Sequence, residues 1–156
     1  MNLRPVLYVE DEENDVLFMR RALAQSGIPN PLHIARDGQQ AIAYLRDARP
    51  ENHPCFVLLD LNLPLVSGFE VLDWIRHEPA LWELPVFVLT SSNQASDIQR
   101  AAQLGATSYA VKPASPSKLV DVVREIQSQW QAMEHAKQFS PMPVDVSGPH
   151  SLKKSV

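Results

Sequence analysis

Short apolar runs bounded by proline, glycine or charge alternate along this chain with longer segments of helical spacing. Pro5-Val6-Leu7-Tyr8-Val9 reads as a short buried strand. Glu13 to Gln25 follows as a helix, with Val16, Leu17, Met19 and Leu23 at helical spacing and Gly27 as its stop. The alternation then repeats. Leu32 to Ala35 is a strand, about Gln39 to Arg46 a helix capped by Asp37, Phe56 to Leu59 a strand and Phe69 to about Arg76 a helix. Pro85 to Leu89 is a fourth strand, Ala95 to Leu104 a helix ended by Gly105, and Thr107 to Val111 a fifth strand. A last helix opens on Pro116, a residue suited to a first helical position, and runs to about Lys137. Proline marks the breaks because it lacks the N–H that a central strand needs and clashes inside a helix.

Five strands alternating with five helices leave little room for hairpins and predict an α/β architecture: a parallel sheet covered on both faces. The ligand site of such a sheet lies at the carboxyl ends of its strands. The last helix is too long for this frame. It would span roughly 33 Å, against about 17 Å for a five-residue strand, so Trp130, Met133 and Phe139 continue its apolar stripe over an overhang. Two covers are open for that stripe: the tail folded back, or a second molecule in a homodimer or partner complex. The tail itself, 138–156, carries three prolines, a Ser-Gly pair and no periodicity, and is expected to be mobile or extended beside a domain of residues 1–137.

Composition narrows the function classes. A chain of 156 residues is expected to form one core, with no space for a second catalytic or DNA-binding domain. The net charge of −4 disfavours nucleic acid as a partner. One cysteine, Cys55, excludes an internal disulfide and a multi-thiolate zinc site, and its place in the run CFVLL reads as a small core hydrophobe. The N-terminus meets acids after a few apolar residues, so neither a signal peptide nor a membrane span is expected, and a cytoplasmic location follows.

The chemistry collects at the strand ends. The first strand runs into Glu10-Asp11, with Glu12, Glu13 and Asp15 close behind; the third into Asp60; the fourth into Thr90-Ser91-Ser92; the fifth into Lys112-Pro113. Singly, each is an ordinary cap or solvated charge. Together, three acids at one rim would repel unless a cation intervened, and all-oxygen ligands call for a hard one: Mg²⁺, with Mn²⁺ and Ca²⁺ as alternatives. Asn62 offers a further ligand through its backbone carbonyl. A carboxylate beside such an ion is a competent nucleophile toward phosphorus, and Thr90 and Lys112 supply donors for the oxygens of a transferring phosphoryl group.

VEDEENDV, LLDLNLPLVSG, VLTSS and YAVKP, in this order and spacing, resemble the response-regulator receiver family of two-component signalling. DLNLP, NDV and PLHIARDGQQAIAYL resemble its stand-alone subgroup of phytochrome-associated response regulators. The resemblance covers Val6 to about Trp130 and implies a flavodoxin-like fold of strand order 2-1-3-4-5. It implies Asp60 as phospho-acceptor from a sensor histidine kinase, one of bacteriophytochrome type among the candidates. It further implies Glu10, Asp11, Asp60 and the Asn62 carbonyl at Mg²⁺, Thr90 as switch hydroxyl, Lys112 as phosphoryl partner and Tyr109 as switch aromatic. Tyr109 also fits a plain amphipathic edge-strand residue.

Two departures stand out: Val66-Ser67 precedes Gly68 where relatives commonly carry an acid, and Ser92 replaces a larger polar residue. Ser67 reads as a helix cap, and the group is expected to bear on phosphate lifetime. The implied protein signals by binding other proteins and turns over no external substrate. An alternative, a Mg²⁺-dependent phosphohydrolase with an aspartate nucleophile, needs a second acid two residues after the nucleophile, where this chain has Asn62. A flavin-phosphate site is disfavoured by EDEEND after the first strand.

Overall fold

The computed structural model describes residues 3–139, apart from the side chain of Phe139. Its strands are β1 (Val6–Val9), β2 (Leu32–Ala35), β3 (Phe56–Leu59), β4 (Val86–Thr90) and β5 (Ser108–Val111). They alternate with helices α1 (Glu13–Gln25), α2 (Gly38–Asp47), α3 (Gly68–His77), α4 (Ala95–Gln103) and α5 (Pro116–Phe139). All strand pairs are parallel and the sheet order is β2-β1-β3-β4-β5, the flavodoxin-like arrangement.

Strand pleating divides the core. Val6, Tyr8, Phe56, Leu58, Phe87 and Leu89 face α1 and α5, whereas Leu7, Val9, Val57, Leu59 and Val86 face α2 and α3. A smaller cluster of Leu61, Phe69, Val88 and Ala101 lies between α3 and α4. The central strands β1, β3 and β4 are buried along their whole length, which is why their sequences are continuous apolar runs. Asp37 and Ser67 cap α2 and α3 as expected, accepting the Gln40 and Glu70 amides at 2.8 and 3.3 Å.

Three expectations need adjusting. A single 3-10 turn, Pro50–Asn52, precedes β3 and carries no periodic signal. Helix α5 continues through Phe139, two residues into the segment assigned to the tail; the remainder, 140–156, lies outside the described residues. The apolar stripe on α5 is also less bare than its length suggests. Trp130 and Met133 pack against the core of their own molecule, with the Trp130 ring 5.5 Å from that of Phe56. The amino end of β3 and its approach through Cys55 extend the sheet far enough to meet them.

Candidate functional site

Register builds the site. Val9 pairs with Ala35 on one side and Leu59 on the other, so Glu10 and Asp60 leave neighbouring strands side by side. Their amides stay in the sheet: Glu10 N–H donates to the Ala35 carbonyl at 2.9 Å, and Asp60 N–H to the Val9 carbonyl at 3.2 Å. Thr90 is the last residue of β4 and accepts the Lys112 amide at 2.7 Å. Backbone pairing alone therefore gathers four of the predicted residues.

The pleat then sorts their side chains. Glu10, Asp60 and Lys112 each stand two residues beyond Tyr8, Leu58 and Ala110, and so share the α1–α5 face with them. Thr90 stands two beyond Val88, on the opposite face where Tyr109 packs. The rim thus has a charged half, which includes Asp60, and a hydroxyl half.

In the charged half, Lys112 Nζ lies 2.5 Å from Glu10 Oε1, 2.8 Å from Asp15 Oδ2 and 3.1 Å from Asp60 Oδ2. Three ammonium protons meet three carboxylates. Glu10 is fully buried and Asp60 nearly so, positions that carboxylates occupy only when compensated. Glu10 Oε1 also accepts the buried Tyr8 hydroxyl at 3.2 Å, and its Oε2 accepts the Glu12 amide at 3.2 Å. Burial pushes the Glu10 carboxyl above its ordinary range and the Asp60 charge adds to this, while hydrogen bonding from Lys112 opposes it. Burial acts to lower Lys112, but its bonds to Asp15 and Glu10 and the charge of Asp60 outweigh that and hold the ammonium above its usual value. The Tyr8 hydroxyl is kept protonated first by burial, then by the charges of Glu10 and Asp15.

The donor set fits a hard dication. Glu10, Asp11 and Asp60 each present a carboxylate oxygen, and these lie within 4.8 Å of one another. Asp11 is exposed at the mouth. Asp60 Oδ1 accepts the Asn62 amide at 3.2 Å and Oδ2 the Lys112 ammonium, so each oxygen keeps acceptor capacity. In the hydroxyl half, Thr90 Oγ1 is buried without a hydrogen-bond partner among the described residues. An orphaned hydroxyl at the same strand-end rim leaves a donor free for an oxygen-rich group.

Tyr109 packs against the cluster of Leu61, Phe69 and Val88 and donates its hydroxyl to the Ser92 carbonyl at 2.9 Å. That tether gives it a structural partner in the β4–α4 loop, beyond what a plain edge-strand residue needs. Ser92 Oγ donates to Asp97 Oδ2 at 2.6 Å, and Val66 packs into the α2–α3 core. Leu65, exposed at the tip of the β3–α3 loop, takes a φ of +69° in a tight turn closed by Val66 N–H donating to the Pro64 carbonyl at 2.8 Å. Gly68 closes the same loop: a Cβ there would lie 2.2 Å from the Asp60 carbonyl oxygen. Only glycine lets α3 press this closely on the backbone carrying Asp60.

Two participants were not singled out from the sequence. Asp15 appeared only as one acid of a cluster, although its place in the first turn of α1 puts it on the face where Lys112 emerges. Tyr8 looked like one more apolar strand residue, and its i, i+2 spacing to Glu10 was the available signal.

A doubly wound α/β frame with an acid and ammonium cluster at the central strand ends defines the class of the molecule. The response regulator receiver domain profile matches residues 6–124, and the chain belongs to that family. It is 38% identical over 128 residues to response regulator Rcp1 of Synechocystis, covering 80% of this chain and 87% of Rcp1. It is also 38% identical over 127 residues to the probable methanogenesis regulatory protein FilR2 of Methanothrix harundinacea, covering 80% and 82%. The crystal structure of Mn²⁺-bound Rcp1 superposes with a TM-score of 0.73 at 36% identity, over 81% of this chain and 94% of that one. That of the phosphorylated cyanobacterial phytochrome response regulator RcpA gives 0.76 at 34%, over 91% and 99%. The molecule is thus a receiver of two-component signalling, a signalling protein and not a phosphohydrolase. Among the described residues, no helix is long and apolar enough to cross a membrane.

Proposed function

We propose that Asp60 accepts a phosphoryl group from the phosphohistidine of a sensor histidine kinase. The observation that carries this is the convergence on Asp60 of the Lys112 ammonium and the carboxylates of Glu10 and Asp11, at a rim that also carries the unpartnered Thr90 hydroxyl on the adjacent strand. A carboxylate oxygen of Asp60 forms the new bond to phosphorus as the phosphorus–nitrogen bond breaks, and the imidazole nitrogen keeps the electron pair. Lys112 and Thr90 donate to the equatorial oxygens. Glu10, Asp11, Asp60 and the Asn62 carbonyl would hold Mg²⁺, which supplies charge neutralisation at those oxygens. The chain catalyses its own modification with no external substrate to turn over. Borohydride reduction of the phosphorylated protein, which converts an acyl phosphate to an alcohol, should mark the peptide holding Asp60; a mark elsewhere contradicts the assignment.

Movement of Thr90 toward the new phosphoryl group would free the space beside Tyr109, and that two-state packing is the route by which charge at Asp60 reaches α4, β5 and α5. Val66, Ser67 and Ser92 bear on how long the phosphate lasts. The likeness to RcpA, a phytochrome response regulator, supports a kinase of bacteriophytochrome type, and a cytoplasmic location goes with that partner. The domain runs through the end of α5 at Phe139, two residues past the boundary expected at 137, with the rest of the tail beyond. Pairing of two copies through the end of α5 and the tail completes the reading. The exposed Trp82, which shares a groove with Trp130, supports it. Light scattering on the full chain and on one cut after Phe139 tests it: one monomer mass for both, with and without phosphate, sinks the dimer.

A further inference from the structure

Asp15 stands outside the carboxylate trio that fits a dication, yet takes one of the three protons of Lys112. The other two acceptors of that ammonium, Glu10 and Asp60, both belong to the trio. Glu13, the other acid in the first turn of α1, pairs with Arg36. Asp15 is therefore the only described partner of Lys112 whose charge a metal ion in the trio would leave untouched.

A cation among Glu10, Asp11 and Asp60 would neutralise two of the three acids holding Lys112 and repel the ammonium itself. The side chain also has somewhere to go. A cavity of about 180 Å³, lined by Tyr8, Asp15, Phe18, Leu89, Pro113 and Leu119, adjoins it. Without an anchor, the flexible four-carbon stem would swing away from Asp60.

We propose that Asp15 is the positioning residue for Lys112 in the metal-loaded site: its carboxylate holds Nζ at the rim beside Asp60, leaving the remaining protons for phosphoryl oxygens. This rests on the reading of the trio as metal-holding. Asp15 acts through Lys112 and touches no reacting atom.

The test uses the full chain with ¹⁵N-labelled lysine, because an ammonium resonance survives solvent exchange only while ion-paired and shielded. In wild type the Lys112 signal should persist with and without saturating Mg²⁺. In Asp15→Ala it should persist without metal, held by Glu10 and Asp60, and disappear with Mg²⁺. Phosphorylation by acetyl phosphate should slow roughly tenfold in Asp15→Ala, the scale of one charge-assisted hydrogen bond, with Asp15→Asn between. Mg²⁺ affinity by calorimetry should change by no more than about twofold, against a loss of roughly tenfold or more in Asp11→Asn. An undisturbed Lys112 signal in Mg²⁺-loaded Asp15→Ala overturns the proposal. So does a loss of Mg²⁺ affinity as large as that of Asp11→Asn, which would make Asp15 a ligand. A wild type that binds no Mg²⁺ defeats the metal reading itself, and the anchor with it.

Discussion

Lys112 and Asp60, 52 residues apart in sequence, meet at 3.1 Å, and the same ammonium bridges to fully buried Glu10. Removing one partner of a buried ion pair leaves the other uncompensated. Lys112→Met, close in volume, should lose about 3 kcal/mol of stability in chelator. Added Mg²⁺ should raise its melting temperature more than that of wild type, because the metal replaces the missing charge. Equal stability of the two proteins in chelator would contradict the cluster as described.

Tyr8 gives its hydroxyl to the same Glu10 oxygen that Lys112 holds. Tyr8→Phe keeps the ring and removes only that donor. Urea unfolding should show a loss of about 1.5 kcal/mol, as expected for a hydrogen bond to a charged group. A change within a few tenths would mean that the Lys112 and Glu12 donors satisfy Glu10 unaided.

Gly68 is fixed by contact with the loop that carries Asp60. Gly68→Ala should cost about 3 kcal/mol and displace Asp60, so phosphorylation by acetyl phosphate should fall along with stability. Wild-type phosphorylation and unfolding would show that the loop yields without consequence.

Cys55 lines a groove of about 560 Å³ together with Trp82 and Trp130, so a small reagent can reach it. Burial nevertheless pushes its thiol up to about 11, with its Sγ 3.4 Å from the Pro5 carbonyl. The folded value lies above the usual 8.5, so the thiol contributes stability that is intact below about pH 8.5 and lost as pH rises toward 11. Alkylation by iodoacetamide at pH 8.5 should run roughly a hundredfold slower in the native protein than in urea. Comparable rates would mean a thiolate inside the fold.

The elements legible in the sequence are those whose burial is uniform. VLYV, FVLL and VFVLT are apolar throughout because both faces of the sheet are covered, and Asp37 and Ser67 announce helix starts through their side chains. Residues at strand ends could be assembled because parallel strands must bring them to one rim. The partner of Lys112 on α1 was not legible, since choosing Asp15 over Glu12 or Glu13 depends on how the helix is rotated against the sheet. The cover over Trp130 was equally hidden: helix and strand lengths predicted an overhang, but not that Cys55 and Phe56 reach beneath it. Val66, expected to bear on phosphate lifetime, also packs against the core between α2 and α3, a contact its place before Gly68 did not announce.

Whether Asp60 is the phosphoryl acceptor is decided by intact mass spectrometry. After incubation with acetyl phosphate and Mg²⁺, the wild type should gain the mass of one phosphoryl group, and Asp60→Ala should gain none. An unmodified wild type, or a mutant that still takes up the group, would contradict it.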